Sequence, residues 1–229
     1  VIIENVVGGG STLANDRVAR SAPDGSTVLI NHVALLAAPS LFTNLRYDTK
    51  TAFEPVGLVN NAPMVLIGRK SIPGEGPKDF VAWIKAQGDK ANFAHGGIGT
   101  NSHLCAVMMG NVLGFKPTVA AYRGSASAIA DLLAGQIDLL WDQVTNALPQ
   151  IQAGTLHGIA ITSSERLEQL KDVPTTAELG MPEVSYTMWH GLYVAKGTPK
   201  ETVDALNAAL RKAVSEPSVG FRLANQSSP

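Results

Sequence analysis

The chain has 229 residues, 45% of them hydrophobic and 16% charged, with 18 basic side chains against 19 acidic ones. That length supports one large domain or two of roughly 100 residues with a real core, and the balanced charge argues against nucleic acid or an anionic membrane as a partner. The single Cys105 excludes a disulfide framework within one chain, and no apolar stretch approaches the ~18 residues of a membrane span.

In chain order, short apolar runs alternate with helical patterns, the rhythm of an α/β fold. The opening "VIIENVV" reads as a strand and lacks the basic start and cleavage pattern of a secretory signal. A glycine-rich turn, "VVGGGSTLAN" (6–15), leads into a first helix, and "STVLIN" (26–31) is the next strand, with Asn31 and His32 at its carboxyl end as candidate ligand contacts. "MVLIG" (64–68) is a buried strand, "SIPGEGPKD" (71–79) a loop with two prolines and two glycines, and Phe80–Gln87 a helix. "FAHGGIGTNSHL" (93–104) then opens a helix whose apolar face is Leu104, Val107, Met108 and Val112 and whose stop is Gly114. "TVAAY" (118–122), "IDLLW" (137–141) and "HGIAIT" (157–162) are further strands. The intervening helix carries Ala128, Ile129, Leu132 and Leu133 and stops at Gly135, and a last helix carries Val203, Leu206, Leu210 and Val214.

Several loops share one design, in which a strand ends, small or hydroxyl residues follow and a helix begins. In a parallel sheet such loops gather at the carboxyl ends of the strands, where ligands sit. The open amides of a helix start attract a carboxylate or phosphate without help from Lys or Arg. The candidate contacts are therefore Gly97, Ile98, Gly99, Thr100, Ser102 and His103, then Tyr122, Arg123, Gly124 and Ser125, then Asp142 just beyond "IDLLW". Thr100, Ser102, Ser125 and Thr145 also suit helix capping, a role compatible with binding. Asp138 reads as structural, and Trp141 and Trp189 as core.

Other chemistries fit less well. Gly97-Ile98-Gly99 begins like a dinucleotide fingerprint, but Ser102 stands where its third glycine would be, so no cofactor is expected. There is no G-x-S-x-G, although Ser102, His103 and Asp142 leave an α/β-hydrolase reading open; sequence neighbours on a helix point in different directions. The five histidines show no metal-ligand spacing, so no metal is expected.

"HGGIGTNSHL", then "YRG" with "DLLAGQID" and Asp142, then "ALPQIQAGTL", "DVPTTAELG" and "HGLYVAKGTPKETVDALN" follow one another over nearly the whole chain. This order resembles that of the tripartite tricarboxylate transporter receptors, or Bug proteins, as do the earlier "APDGSTVLI" and "RYDTKTAFEPVGLV". The resemblance implies a periplasmic, monomeric, non-enzymatic binding protein of the two-lobed Venus-flytrap type, each lobe a sheet flanked by helices. Residues 1–90 and 190–229 would form the first lobe and 91–189 the second. The implied ligand is a small organic acid: a dicarboxylate, a tricarboxylate, an acidic amino acid or an aromatic acid. The implied partners are the membrane permease subunits, or a sensor kinase in a sensing role; a truncated interaction module is the remaining alternative. The resemblance also implies a strand and helix ahead of Val1 and a helix after Pro229, so that the first lobe is incomplete as written and its open sheet position is a pairing hazard.

Overall fold

The structure, a computed structural model, describes residues 1–219; the end of the expected first lobe, 220–229, lies outside the described residues. The elements in chain order are α1 (Thr12–Ala19), β1 (Leu29–Asn31), α2 (Val33–Leu41), β2 (Phe53–Arg69), α3 (Pro77–Gln87), β3 (Asn92–His95), α4 (Asn101–Leu113), β4 (Thr118–Ala121), α5 (Ser125–Leu133), β5 (Leu139–Gln143), α6 (Val144–Gln152), β6 (Leu156–Ile161), β7 (Thr187–Ala195) and α7 (Lys200–Ser215). The described residues form two compact α/β units, one from 1–61 and 189–219, the other from 62–188.

In the first unit β7 lies between β1 and β2, with β1 antiparallel to it through the pairs Leu29–Tyr193, Ile30–Leu192 and Asn31–Gly191. Val18, Leu29, Leu35 and Phe53 form its small core. Helix α7 half-buries Val203, Leu206, Leu210 and Val214, the face its period predicts.

In the second unit the strand order is β6-β2-β5-β3-β4. β5 and β6 both run antiparallel to β2 across Val65–Gly68, while β3 is parallel to β4 and to β5. Both faces are covered, which is why "MVLIG" is apolar without alternation. Met64, Leu66, Phe93, Leu139 and Trp141 meet Phe80 and Ile84 of α3 and Cys105, Ala106 and Met109 of α4. Val65, Ile67, Ala94 and Leu140 point the other way, against Ala128 and Leu132 of α5 and Val144 and Ala147 of α6. Asp138 is structural, as expected: it accepts from Arg69 Nε at 2.6 Å and from the Asn92 amide at 2.9 Å, tying β2 to the start of β3.

Residues 62–90, assigned from sequence to the first lobe, pack in the second unit. The later half of β2 is paired on both edges there, and α3 buries Phe80 and Ile84 in the same core.

Candidate functional site

Parallel pairing of β3 with β4 and β5 brings the loops that open α4, α5 and α6 to one end of the second unit's sheet. The first two loops meet backbone to backbone: a Cβ on Gly96 would lie 3.7 Å from Gly124 Cα and 3.9 Å from the Ser125 nitrogen. The second and third are joined by a hydrogen bond from Ser125 Oγ to Asp142 Oδ1 at 2.9 Å. All eleven second-unit candidates therefore sit at three adjoining strand-to-helix junctions.

The β3–α4 loop is held by its own side chains. Thr100 Oγ1 donates to the Gly97 carbonyl at 2.6 Å, which uses its only proton. The Ser102 hydroxyl, 3.0 Å away, therefore donates to Thr100 Oγ1 while accepting from the Gly96 amide at 3.0 Å. His103 Nδ1 accepts from the Gly99 amide at 3.2 Å, and His95 Nδ1 accepts from the Gly97 amide at 3.0 Å. Gly99, with φ of 80°, supplies the left-handed turn before the helix. Neither Thr100 nor Ser125 caps its helix as the capping reading allowed, because both hydroxyls are turned to other partners. What stays open is set by helix geometry: the first-turn amides of Asn101, Ser102 and His103, and of Ser125, Ala126 and Ser127, have no intrahelical acceptor. Ile98 is exposed at the loop tip.

Tyr122 turns from the loops. Its hydroxyl donates to Asp131 Oδ2 at 2.7 Å, and this bond is the main reason the phenol titrates above its ordinary range. Arg123 is exposed and has no hydrogen bond or ion pair among the described residues.

Asp142 is buried, 2% exposed. Its Oδ1 accepts from Ser125 Oγ, from the Gln143 amide at 2.8 Å and from Asn146 Nδ2 at 3.2 Å. Burial pushes its pKa up and the three donors pull it back. Its Oδ2 is buried without a partner among the described residues.

The hydrolase reading does not assemble. His103 Nδ1 is occupied by the Gly99 amide, the Ser102 hydroxyl faces Thr100 and Gly96, and Asp142 bonds Ser125 rather than a histidine. Among the described residues no group of three or more His, Cys, Asp or Glu side chains is placed to hold a metal ion.

Asn31 and His32 belong to the first unit. Asn31 Nδ2 donates to Asn15 Oδ1 at 2.5 Å, and Asn31 Oδ1 accepts from the His32 amide at 2.8 Å. His32 Nδ1 caps α2 by accepting from the Ala34 amide at 3.2 Å. Burial first, then the facing His190, brings its pKa down to about 4.

Sequence reasoning missed His95, Asn101 and Asn146. Asn146 stands four residues beyond Asp142, in the first turn of the helix that follows it, a spacing that could have flagged it. Asn101 is buried and accepts from the Tyr186 hydroxyl at 2.5 Å, a contact 85 residues apart that no local pattern announces.

A protein from Agrobacterium vitis, the UPF0065 protein in the TAR-I ttuE-ttuC' intergenic region, is 36% identical over 225 residues. The match takes in 98% of this chain and 65% of that relative, so the chain spans just under two thirds of the relative's length. The structure of periplasmic binding protein BugD matches with a TM-score of 0.92 at 39% identity, covering 99% of this chain and 75% of BugD. MatC from Rhodopseudomonas palustris, solved with bound malate, matches with a TM-score of 0.91 at 36% identity, covering 99% and 77%. The family model described as tripartite tricarboxylate transporter family receptor matches residues 1–228, and the chain belongs to that family.

Proposed function

We propose that this chain is the solute-binding part of a periplasmic receptor that captures a small dicarboxylate and delivers it to the membrane permease subunits of a tripartite tricarboxylate transporter. The observation that carries the reading is the pair of adjoining helix starts, α4 and α5, whose first-turn amides are open while the surrounding hydroxyls and imidazoles are engaged in holding the loops. One ligand carboxylate seats against those amides, where the helix dipoles favour negative charge. Of the amides and hydroxyls of Gly99, Thr100, Ser102 and Ser125, this reading gives the ligand to the amides and the shaping of the loops to the hydroxyls. Exposed Arg123 adds attraction at the rim, and Asp142, its charge taken up by three donors, repels an anion little. The malate bound to MatC supports the dicarboxylate class.

Isothermal titration of the full chain with malate, succinate, glutarate and glutamate tests this. Saturable one-to-one binding of at least one dicarboxylate is expected; no heat with any of them would overturn the reading.

A further inference from the structure

We infer that His95 and His103 are positioning residues for the β3–α4 loop: each neutral imidazole holds a glycine amide through Nδ1, so carboxylate capture depends on both rings being unprotonated. The inference deepens the binding reading above and rests on it. His95 ends β3 and is 2% exposed, while His103 lies in the first turn of α4. The ring centroids are 4.8 Å apart. The Gly97 amide donates to one Nδ1 and the Gly99 amide to the other.

A ring nitrogen that accepts an N–H carries no proton, so both rings are the Nε2–H tautomer. Protonating either one sets N–H against N–H and releases its glycine. Between the two held amides the Gly97 carbonyl accepts from both the Thr100 hydroxyl and, at 3.2 Å, the Thr100 amide. The loop's polar groups are thereby turned onto one another, and the first-turn amides after Thr100 are left without an intrahelical acceptor. Loss of a ring's grip frees glycines that populate many backbone states, and the preorganised anion seat goes with them.

Few other charges act on the pair. The titratable groups on neighbouring segments are Cys105 on α4, Tyr122 and Arg123 after β4, Asp131 on α5, Asp142 on β5, and Glu183 and Tyr186 on the segment ahead of β7 that packs against α4, where Glu183 is exposed and the Tyr186 hydroxyl donates to Asn101. Cys105 is buried and its thiol is pushed up, Tyr122 and Asp131 bond each other, Arg123 is exposed, and Asp142 is engaged by Ser125, Gln143 and Asn146. Burial lowers both imidazoles, and His103 lowers His95 further.

The test has a ligand-free arm and a binding arm. Nitrogen-15 NMR of the imidazoles, with protection factors for the Gly97 and Gly99 amides, is followed from about pH 7.5 to about pH 5. Expected are Nε2–H tautomers at neutral pH and loss of amide protection in step with ring protonation. In the second arm malate affinity weakens roughly tenfold over the same range. His95→Ala weakens it at neutral pH, whereas His95→Asn, whose Oδ1 accepts without titrating, restores neutral affinity, and the double variant His95→Asn, His103→Asn flattens the pH profile. Nδ1–H tautomers, amide protection indifferent to ring protonation, or an unchanged profile in the double variant would overturn the inference. If neither malate nor any other of the titrated acids binds at any pH, the functional reading loses its support, and the ligand-free arm still decides the histidine assignment.

Discussion

Asp142 is the residue whose chemistry changed most between sequence and structure. Its place just beyond an apolar run marked it as a candidate ligand contact, and the structure shows it fixing the loops: Oδ1 gathers a hydroxyl, a backbone amide and a side-chain amide from the starts of α5 and α6. Asp142→Ala strands those buried donors and should cost about 2–4 kcal/mol in urea denaturation. Asp142→Asn keeps an acceptor at Oδ1 and should cost less than half as much. The ligand response is separable from stability. A ligand ammonium paired with the buried carboxylate would make the Asn variant lose glutamate affinity selectively, by roughly 2–5 kcal/mol. With the charge already engaged, titrations of glutamate and of 2-oxoglutarate should instead change by similar, small amounts; a selective loss for glutamate would make Asp142 the ammonium partner. Its position was legible because strand ends are; its Ser125 donor was not, because Ser125 reaches it through the order of strands rather than through sequence.

The elements that sequence patterning found are those whose local signals agree with their packing. Gly114 was read as a helix stop and closes α4 with φ of 79°, and the paired strands 64–68 and 157–162 lie in β2 and β6 within a residue or two. The first half of β2 was missed because Pro55, Gly57 and Pro63 interrupt its pattern; pairing with β7 makes it a strand. Helix α2 was missed because its cap is a histidine, its surface is apolar nearly all round and Pro39 stands inside it. For α4 the period was right and the face wrong. Leu104, Val107, Met108 and Val112 look like the core stripe, but the helix buries Ser102, Cys105, Ala106, Met109 and Gly110 and exposes Val107. Small residues win because the helix lies close to its surroundings. A Cβ on Gly110 would come 2.4 Å from Pro117 Cδ and 2.7 Å from the Phe115 carbonyl oxygen. Gly110→Ala gains about 1 kcal/mol of helix propensity and forces a backbone clash that outweighs it, for a net loss of about 1–3 kcal/mol. A lower urea midpoint checks this; an unchanged or higher midpoint would show that the turn after α4 yields easily.

Across the whole molecule the histidines impose one pH response. All five have pKa values below the ordinary 6.5, with burial the leading cause in each. Three of them, His32, His95 and His103, accept a backbone amide at Nδ1 and so require the neutral ring. When the folded pKa lies below the unfolded one, the unfolded chain binds more protons in the interval between them. The contribution to stability is therefore complete above pH 6.5 and is lost as pH falls toward the folded values, about 4 for His32. That residue's shift corresponds to roughly 3 kcal/mol of differential stability in the first unit. Asp142 works in the opposite sense in the second unit, since its raised pKa lets protonation relieve a buried charge as pH falls toward 3.8. Glu178, held down to about 2 by Arg166, weakens the fold only below its ordinary 4.5. The expected outcome is a fall in stability that starts near pH 6.5, well above the carboxylate range, with His32 contributing to it in the first unit. Urea denaturation at steps from about pH 7.5 to about pH 4.5 would follow it, with the two units treated as separate transitions. His32→Asn caps α2 through Oδ1 without titrating, so it should shrink the first unit's loss and leave the second unit's profile unchanged. A flat profile down to about pH 4.5, or a loss in the first unit that His32→Asn leaves untouched, would show that the buried imidazoles do not control acid stability.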